Sequence, residues 1–127
     1  MADTLSSTHR EWIEAALDAH KFSIARLISL FEDQRTEAIP QRAAVLAALE
    51  AHPRARSATF LGITGTPGAG KSTLTGQLAR RMHALRSDLR FAVLAVDPSS
   101  RFSGGALLGD RTRVRFATGD ARLFFRS

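Results

Sequence analysis

Residues 62–74 read Gly-Ile-Thr-Gly-Thr-Pro-Gly-Ala-Gly-Lys-Ser-Thr-Leu, and within them Gly65 to Ser72 is a complete G-x-x-x-x-G-K-[ST] loop. The preceding Thr59-Phe60-Leu61-Gly62-Ile63-Thr64 is short and apolar, which predicts a buried strand running into the loop. From Lys71 onward Leu74, Leu78, Met82 and Leu85 recur at three- and four-residue spacing. That spacing predicts a helix with this face inward and Gln77, Arg80, Arg81 and Arg86 toward water. Strand, glycine-rich loop and helix in this order form the arrangement that cradles phosphate groups.

A triphosphate needs a concave set of backbone N–H donors, and glycine lets the chain curl closely around the anion. Gly65, Gly68 and Gly70 are placed to supply that freedom, and Pro67 to stiffen the loop. The predicted nucleotide-binding set is Gly65, Thr66, Pro67, Gly68, Ala69, Gly70, Lys71, Ser72 and Thr73. The amides of Gly68 through Thr73 would face the phosphates, with the positive end of the helix dipole behind them. Lys71 would reach the β- and γ-phosphates, and Ser72 would offer a hard oxygen ligand to Mg²⁺. The competing reading is a glycine-rich turn capping a helix, with Lys71 and Ser72 in its first turn by coincidence.

Downstream, Arg90-Phe-Ala-Val-Leu-Ala-Val96 is a nearly continuous apolar run, as expected of a parallel strand covered on both faces. Asp97 follows it. In open α/β sheets ligands lie beyond the carboxyl ends of strands, where an acid could hold a magnesium-bound water or orient the attacking water. Alternatively Asp97-Pro98-Ser99-Ser100 is a turn in which the Asp side chain bonds nearby backbone. The glycine-rich Ser103 to Asp110 stretch reads either as a nucleotide-responsive loop or as a plain connector. Arg111, Arg113 and Arg115, with Arg101, Arg122 and Arg126, read either as a contact to phosphate or an acidic partner or, with more weight, as a solvated basic face; no aromatic platform for single-stranded nucleic acid is interleaved with them. Leu123-Phe124-Phe125-Arg126-Ser127 is strand-like.

Upstream, Thr8-His-Arg-Glu11 has capping-box spacing, and Trp12, Ile13, Ala16, Leu17, Ile24, Leu27, Ile28 and Phe31 follow at helical intervals. One long first helix is expected. Thr36 to Pro40 would break it, and Pro40 would open a second helix through Leu46 and Leu49 to His52-Pro53, giving a helical hairpin. That hairpin reads either as a partner-binding or dimer arm or as packing against the segment that follows. Pro53 to Ala58 is a short polar connector. Trp12 on the apolar face reads as packing rather than ligand stacking. His9, His20, His52 and His83 lack metal-ligand spacing and read as surface or helix residues.

With 127 residues and 44% apolar side chains the chain can build a core. Two convincing strands are few for a doubly wound sheet, which has around five or more, so the α/β domain is expected to be truncated. The absence of cysteine excludes disulfides and thiolate metal sites. No run is long and apolar enough to cross a bilayer and no secretory leader is visible, so a cytoplasmic location with no membrane and no nucleic-acid partner is expected. Lys and Arg number 18 against 12 acids, a formal +6. Nucleic acid, an acidic partner or an unbalanced piece of a larger protein would each account for that excess, and the last weighs most.

With GITGTPGAGKSTL at 62–74, AVLAVDPSS at 92–100, GGALLGDRTRV at 104–114 and FFRS at 124–127, the chain resembles the MeaB/ArgK family of metallochaperone-type GTPases. The resemblance is strong from residue 60 onward and looser over the helical N-terminal segment. It implies an α/β P-loop NTPase, a SIMIBI-type G domain with a parallel sheet and flanking helices. The layout would be an N-terminal helical arm at 1–55 and an incomplete GTPase domain at 56–127. It further implies a GTP-binding and GTP-hydrolysing chaperone, homodimeric when full length, that assists an adenosylcobalamin-dependent acyl-CoA mutase of the methylmalonyl-CoA mutase type. Lys71, Asp97 and Asp110 would be the catalytic residues, and Ser72, Asp97 and Asp110 would lie at Mg²⁺ and its waters. Arg101-Phe102-Ser103 stands where the family often has a Thr before the glycine pair, and Arg111 and Val114 replace a usual Lys and Met. The family's second acidic switch, its Asn-Lys-x-Asp guanine-reading motif and its dimerisation segment are expected beyond Ser127, so an isolated piece is expected to be inactive. The alternatives are an ATP-dependent kinase or transport ATPase with the same loop, and a non-enzymatic interaction module.

Overall fold

The computed structural model describes residues 5–96 and 121–126. They form helices α1 (Ser7–Leu17), α2 (Lys21–Glu32), α3 (Ala38–Glu50) and α4 (Lys71–Leu85), and strands β1 (Phe91–Leu94) and β2 (Leu123–Arg126). The chain divides into two compact units, Met1–Thr59 and Phe60–Ser127.

The first unit is three helices rather than the expected hairpin of two. The N-cap of α1 is Ser6, not Thr8: Ser6 is extended, and its Oγ accepts the His9 N–H at 3.2 Å. The expected single long helix is broken at Asp18-Ala19-His20. Ala19 adopts a left-handed φ of 63°. The Ala19 N–H donates to the Ala16 carbonyl and the His20 N–H to the Ala15 carbonyl, both at 2.9 Å. This is a Schellman termination with alanine where glycine usually stands. It lets α2 turn back on α1, so Ile13, Leu27 and Val45, one from each helix, meet in a common core. Trp12, Ala16, Leu17, Leu30, Ala48 and Leu49 pack around them. Trp12 is thus a packing residue, edge-on to the His9 ring at 5.4 Å between centroids.

Side chains from the turn that follows α3 close the unit. His52 Nδ1 accepts the Arg54 N–H at 3.1 Å, which leaves its Nε2 to donate to Glu14 Oε1 at 3.0 Å. Arg54 donates to the Leu17 carbonyl at 3.0 Å and to Asp18 Oδ1 at 2.6 Å. A cation is thereby placed on the last carbonyl of α1, where the helix dipole favours it.

In the second unit β1 and β2 pair in parallel, with Phe91 opposite Leu123 and Leu94 opposite Arg126. The Phe91 N–H donates to the Arg122 carbonyl at 2.7 Å, and the Ala95 N–H to the Arg126 carbonyl at 2.8 Å. Thr59 to Thr64, expected as a buried strand, is irregular, and Phe60 and Leu61 are 91% and 68% exposed. An apolar run becomes a strand only where a neighbouring backbone pairs with it, and among the described residues none does. Within the described residues no helix is long and apolar enough to cross a membrane.

Candidate nucleotide site

The loop enters α4 through two left-handed glycines, Gly68 at φ 76° and Gly70 at φ 96°. Gly70 is the N-cap, and its carbonyl accepts the first helical hydrogen bond from the Leu74 N–H at 2.9 Å. Within the loop the Ala69 N–H donates to the Thr66 carbonyl at 3.2 Å, so that amide serves the turn. The amides of Gly70 through Thr73 lie at the first turn of α4, at the positive end of its dipole. Gly65 differs from the other two. It has no positive φ, and a Cβ there would lie 3.6 Å from the Lys71 side chain, an ordinary contact. The conformational demand for glycine therefore falls on Gly68 and Gly70.

Lys71, the first residue of α4, folds back over the loop, and its Nζ donates to the carbonyls of Gly65 at 2.7 Å and Thr66 at 2.9 Å. The ammonium thus sits across the mouth of the loop, beside the turn built by Pro67 and Gly68. Ser72 follows on the same turn, half-buried, and Thr73 is exposed. Gly65, Thr66, Pro67, Gly68, Ala69, Gly70, Lys71, Ser72 and Thr73 run without interruption from the loop into the first turn of α4. Asp97 and Asp110 lie outside the described residues, as does the glycine-rich stretch before Asp110. No cluster of three or more His, Asp or Glu able to hold a metal occurs among the described residues.

The inward face of α4 matches the expected leucine stripe only at Leu78. Ala79 is buried and Ser72, Thr75, Gly76, Leu78 and His83 are half-buried, whereas Leu74, Met82 and Leu85 are exposed. Most of the packing face is built from small and polar side chains, which a reading of hydrophobic spacing passes over. Thr75 Oγ1 donates to the Lys71 carbonyl at 2.8 Å, which ties the second turn to the first.

At its far end α4 meets the strands. The His83 ring lies 6.4 Å from the Phe91 ring. Arg122, read from sequence as one more solvated cation, donates to the Arg86 carbonyl at 3.1 Å and to the His83 carbonyl at 3.4 Å. A charge count along the chain cannot reveal this, since the partner carbonyls belong to a helix nearly forty residues earlier. Arg86 also makes a two-point pair with Asp88, at 2.9 and 2.8 Å. Arg86's side-chain hydrogen bonds hold the Asp88 carboxyl down to about 2.

A family profile described as methylmalonyl-CoA mutase-associated GTPase MeaB matches residues 24–127. The chain is 46% identical over 119 residues to a fused isobutyryl-CoA mutase of Nocardia farcinica, covering 93% of this chain and 11% of that protein. It is 40% identical over 116 residues to a fused isobutyryl-CoA mutase of Cupriavidus metallidurans, covering 91% of this chain and 10% of that one. A Pyrococcus horikoshii protein carrying the name of a proposed GTPase is 40% identical over 117 residues, 92% of this chain and 34% of its own length. The chain therefore spans about a tenth of the fused mutases and about a third of the archaeal protein.

Proposed function

The chain belongs to the MeaB family of methylmalonyl-CoA mutase-associated GTPases, and from that premise we propose that Gly65 to Thr73 grips the phosphates of GTP in a G protein that serves an acyl-CoA mutase. The observation that carries this reading is the loop itself: two left-handed glycines leading into the N-terminus of α4, with Lys71 folded back across the mouth. On nucleotide binding the Lys71 ammonium would exchange its carbonyl partners for β- and γ-phosphate oxygens, a charge-assisted interaction. Ser72 fits Mg²⁺ in kind, as a hydroxyl oxygen on the first helical turn, and the ion when bound would neutralise developing charge. Asp97 and Asp110 are proposed to complete the metal's surroundings and to orient the attacking water.

Charge distribution supports the reading. Of the 18 Lys and Arg, 11 lie at 60–127 with 4 of the 12 acids, so that unit carries +7, leaving 7 and 8, or −1, at 1–59. The excess positive charge thus belongs to the unit that would hold a polyanion. Two of the relatives are named as fusions to isobutyryl-CoA mutase. We take an adenosylcobalamin-dependent acyl-CoA mutase as the partner, assisted in the manner of a chaperone. Exposed Phe60, Leu61, Leu74, Leu85, Leu94 and Val96 are apolar surface that a complete G domain would cover, so low turnover is expected of these 127 residues alone. A cytoplasmic homodimer is the proposed state of the whole protein.

Titration with fluorescent GTP and ATP analogues in the presence of Mg²⁺ tests the reading. GTP is expected to bind in preference to ATP, and Lys71→Ala to weaken binding at least about tenfold, the loss of a charge-assisted contact. Preference for ATP would instead favour the kinase or transport ATPase. Binding of neither nucleotide would leave the interaction module.

A further inference from the structure

Arg122 occupies a junction of three elements. Its backbone carbonyl accepts the Phe91 N–H at 2.7 Å, where β1 begins. Its own chain continues directly into β2 at Leu123, which is buried. Its guanidinium donates to the Arg86 and His83 carbonyls at the end of α4, and the second nitrogen lies 3.4 Å from His83 Nδ1. The last carbonyls of a helix have no intrahelical donor, and an arginine there both satisfies them and complements the negative end of the dipole.

The other end of α4 is the nucleotide loop. From His83 back to Ser72 the helix runs about 17 Å at its usual rise, with Lys71 and Ser72 at the far end. At the junction the neighbouring strand sets out toward Asp97. A tilt of only a few degrees at Arg122 would therefore shift Lys71 by about 1 Å relative to the end of β1.

Resting on the phosphate-loop reading, we infer that Arg122 is a positioning residue for the nucleotide site: by clamping the C-terminus of α4 to the start of the sheet, it fixes where the loop stands relative to the strand ends. It touches no phosphate and acts through the helix.

The test compares Arg122→Gln, Arg122→Lys and, as a control for plain loss of stability, Leu123→Ala. Each is read by thermal melting and by titration with a fluorescent GTP analogue at fixed Mg²⁺. Arg122→Gln is expected to weaken nucleotide binding about tenfold, as displacement of a binding group by about 1 Å can do. Arg122→Lys, which keeps one cationic donor, should recover part of that. Leu123→Ala should lower the melting temperature at least as far and change affinity less. Affinity that falls in step with melting temperature across all three variants, or that is unchanged in Arg122→Gln, would overturn the inference. If the wild type binds neither GTP nor ATP, the nucleotide reading fails by itself. The inference is then decided by amide hydrogen exchange at 65–73, which Arg122→Gln should accelerate and which, if unaltered, refutes the clamp.

Discussion

At the scale of single residues, the glycines of the loop are not equivalent. Gly68 and Gly70 hold φ values of 76° and 96°, a region that imposes about 1–2 kcal/mol on any residue with a Cβ. Gly65 holds no such angle, and a methyl group there meets the flexible Lys71 side chain at 3.6 Å and the Ala69 methyl at 3.8 Å, both ordinary contacts. Gly70→Ala should therefore weaken nucleotide binding by about tenfold and lower the melting temperature, while Gly65→Ala should do less of both; isothermal titration beside a melting curve checks the order. The motif was fully legible as a string of letters. Which glycines are conformationally required was not, because the pattern records positions and not dihedral angles. Arg122 shows the same gap: its charge is plain in the sequence, but its carbonyl partners exist only once α4 and β2 are side by side.

At the scale of elements, α1 and α2 show why hydrophobic spacing can conceal a chain reversal. Leu17 and Ile24 stand seven residues apart, close to two helical turns, so the apolar pattern stays in phase across the break. No glycine or proline marks the stop; Ala19 accepts the left-handed conformation and the Schellman bonds hold it. Ala19→Gly should remove that strain and stabilise the helical unit by about 0.5–1 kcal/mol, read as a higher denaturation midpoint with an unchanged slope. A loss of stability would mean that the greater freedom of glycine in the unfolded chain outweighs the relief. The strands present the opposite case. Phe91 to Leu94 and Leu123 to Arg126 are found where apolar runs predict them, because each supplies the other's hydrogen bonds. Thr59 to Thr64 has equal apolar character and no such partner among the described residues.

At the scale of the whole molecule, two ion pairs among the described residues join neighbours two positions apart, Arg35 with Asp33 and Arg86 with Asp88. The Arg35 side chain, then its backbone amide, holds the Asp33 carboxyl down to about 2, and the Asp88 carboxyl is held likewise by Arg86. Because both carboxyls are depressed below the ordinary carboxylate value, their stabilisation is complete above about pH 4 and is lost as pH falls through about 2. Asp33→Asn should accordingly melt below the wild type at pH 6, with the difference closing toward pH 2 and shrinking in high salt. A gap that persisted at pH 2 would contradict this. The sequence by itself determined the phosphate loop, the family, the two strands and the helical character of the first fifty residues. Those signals are local, residing in residue types at fixed spacing. Tertiary structure alone decided the reversal at Ala19, the packing face of α4, the irregular path of Thr59 to Thr64 and the role of Arg122, because each depends on which distant backbone stands opposite, and no local spacing encodes that.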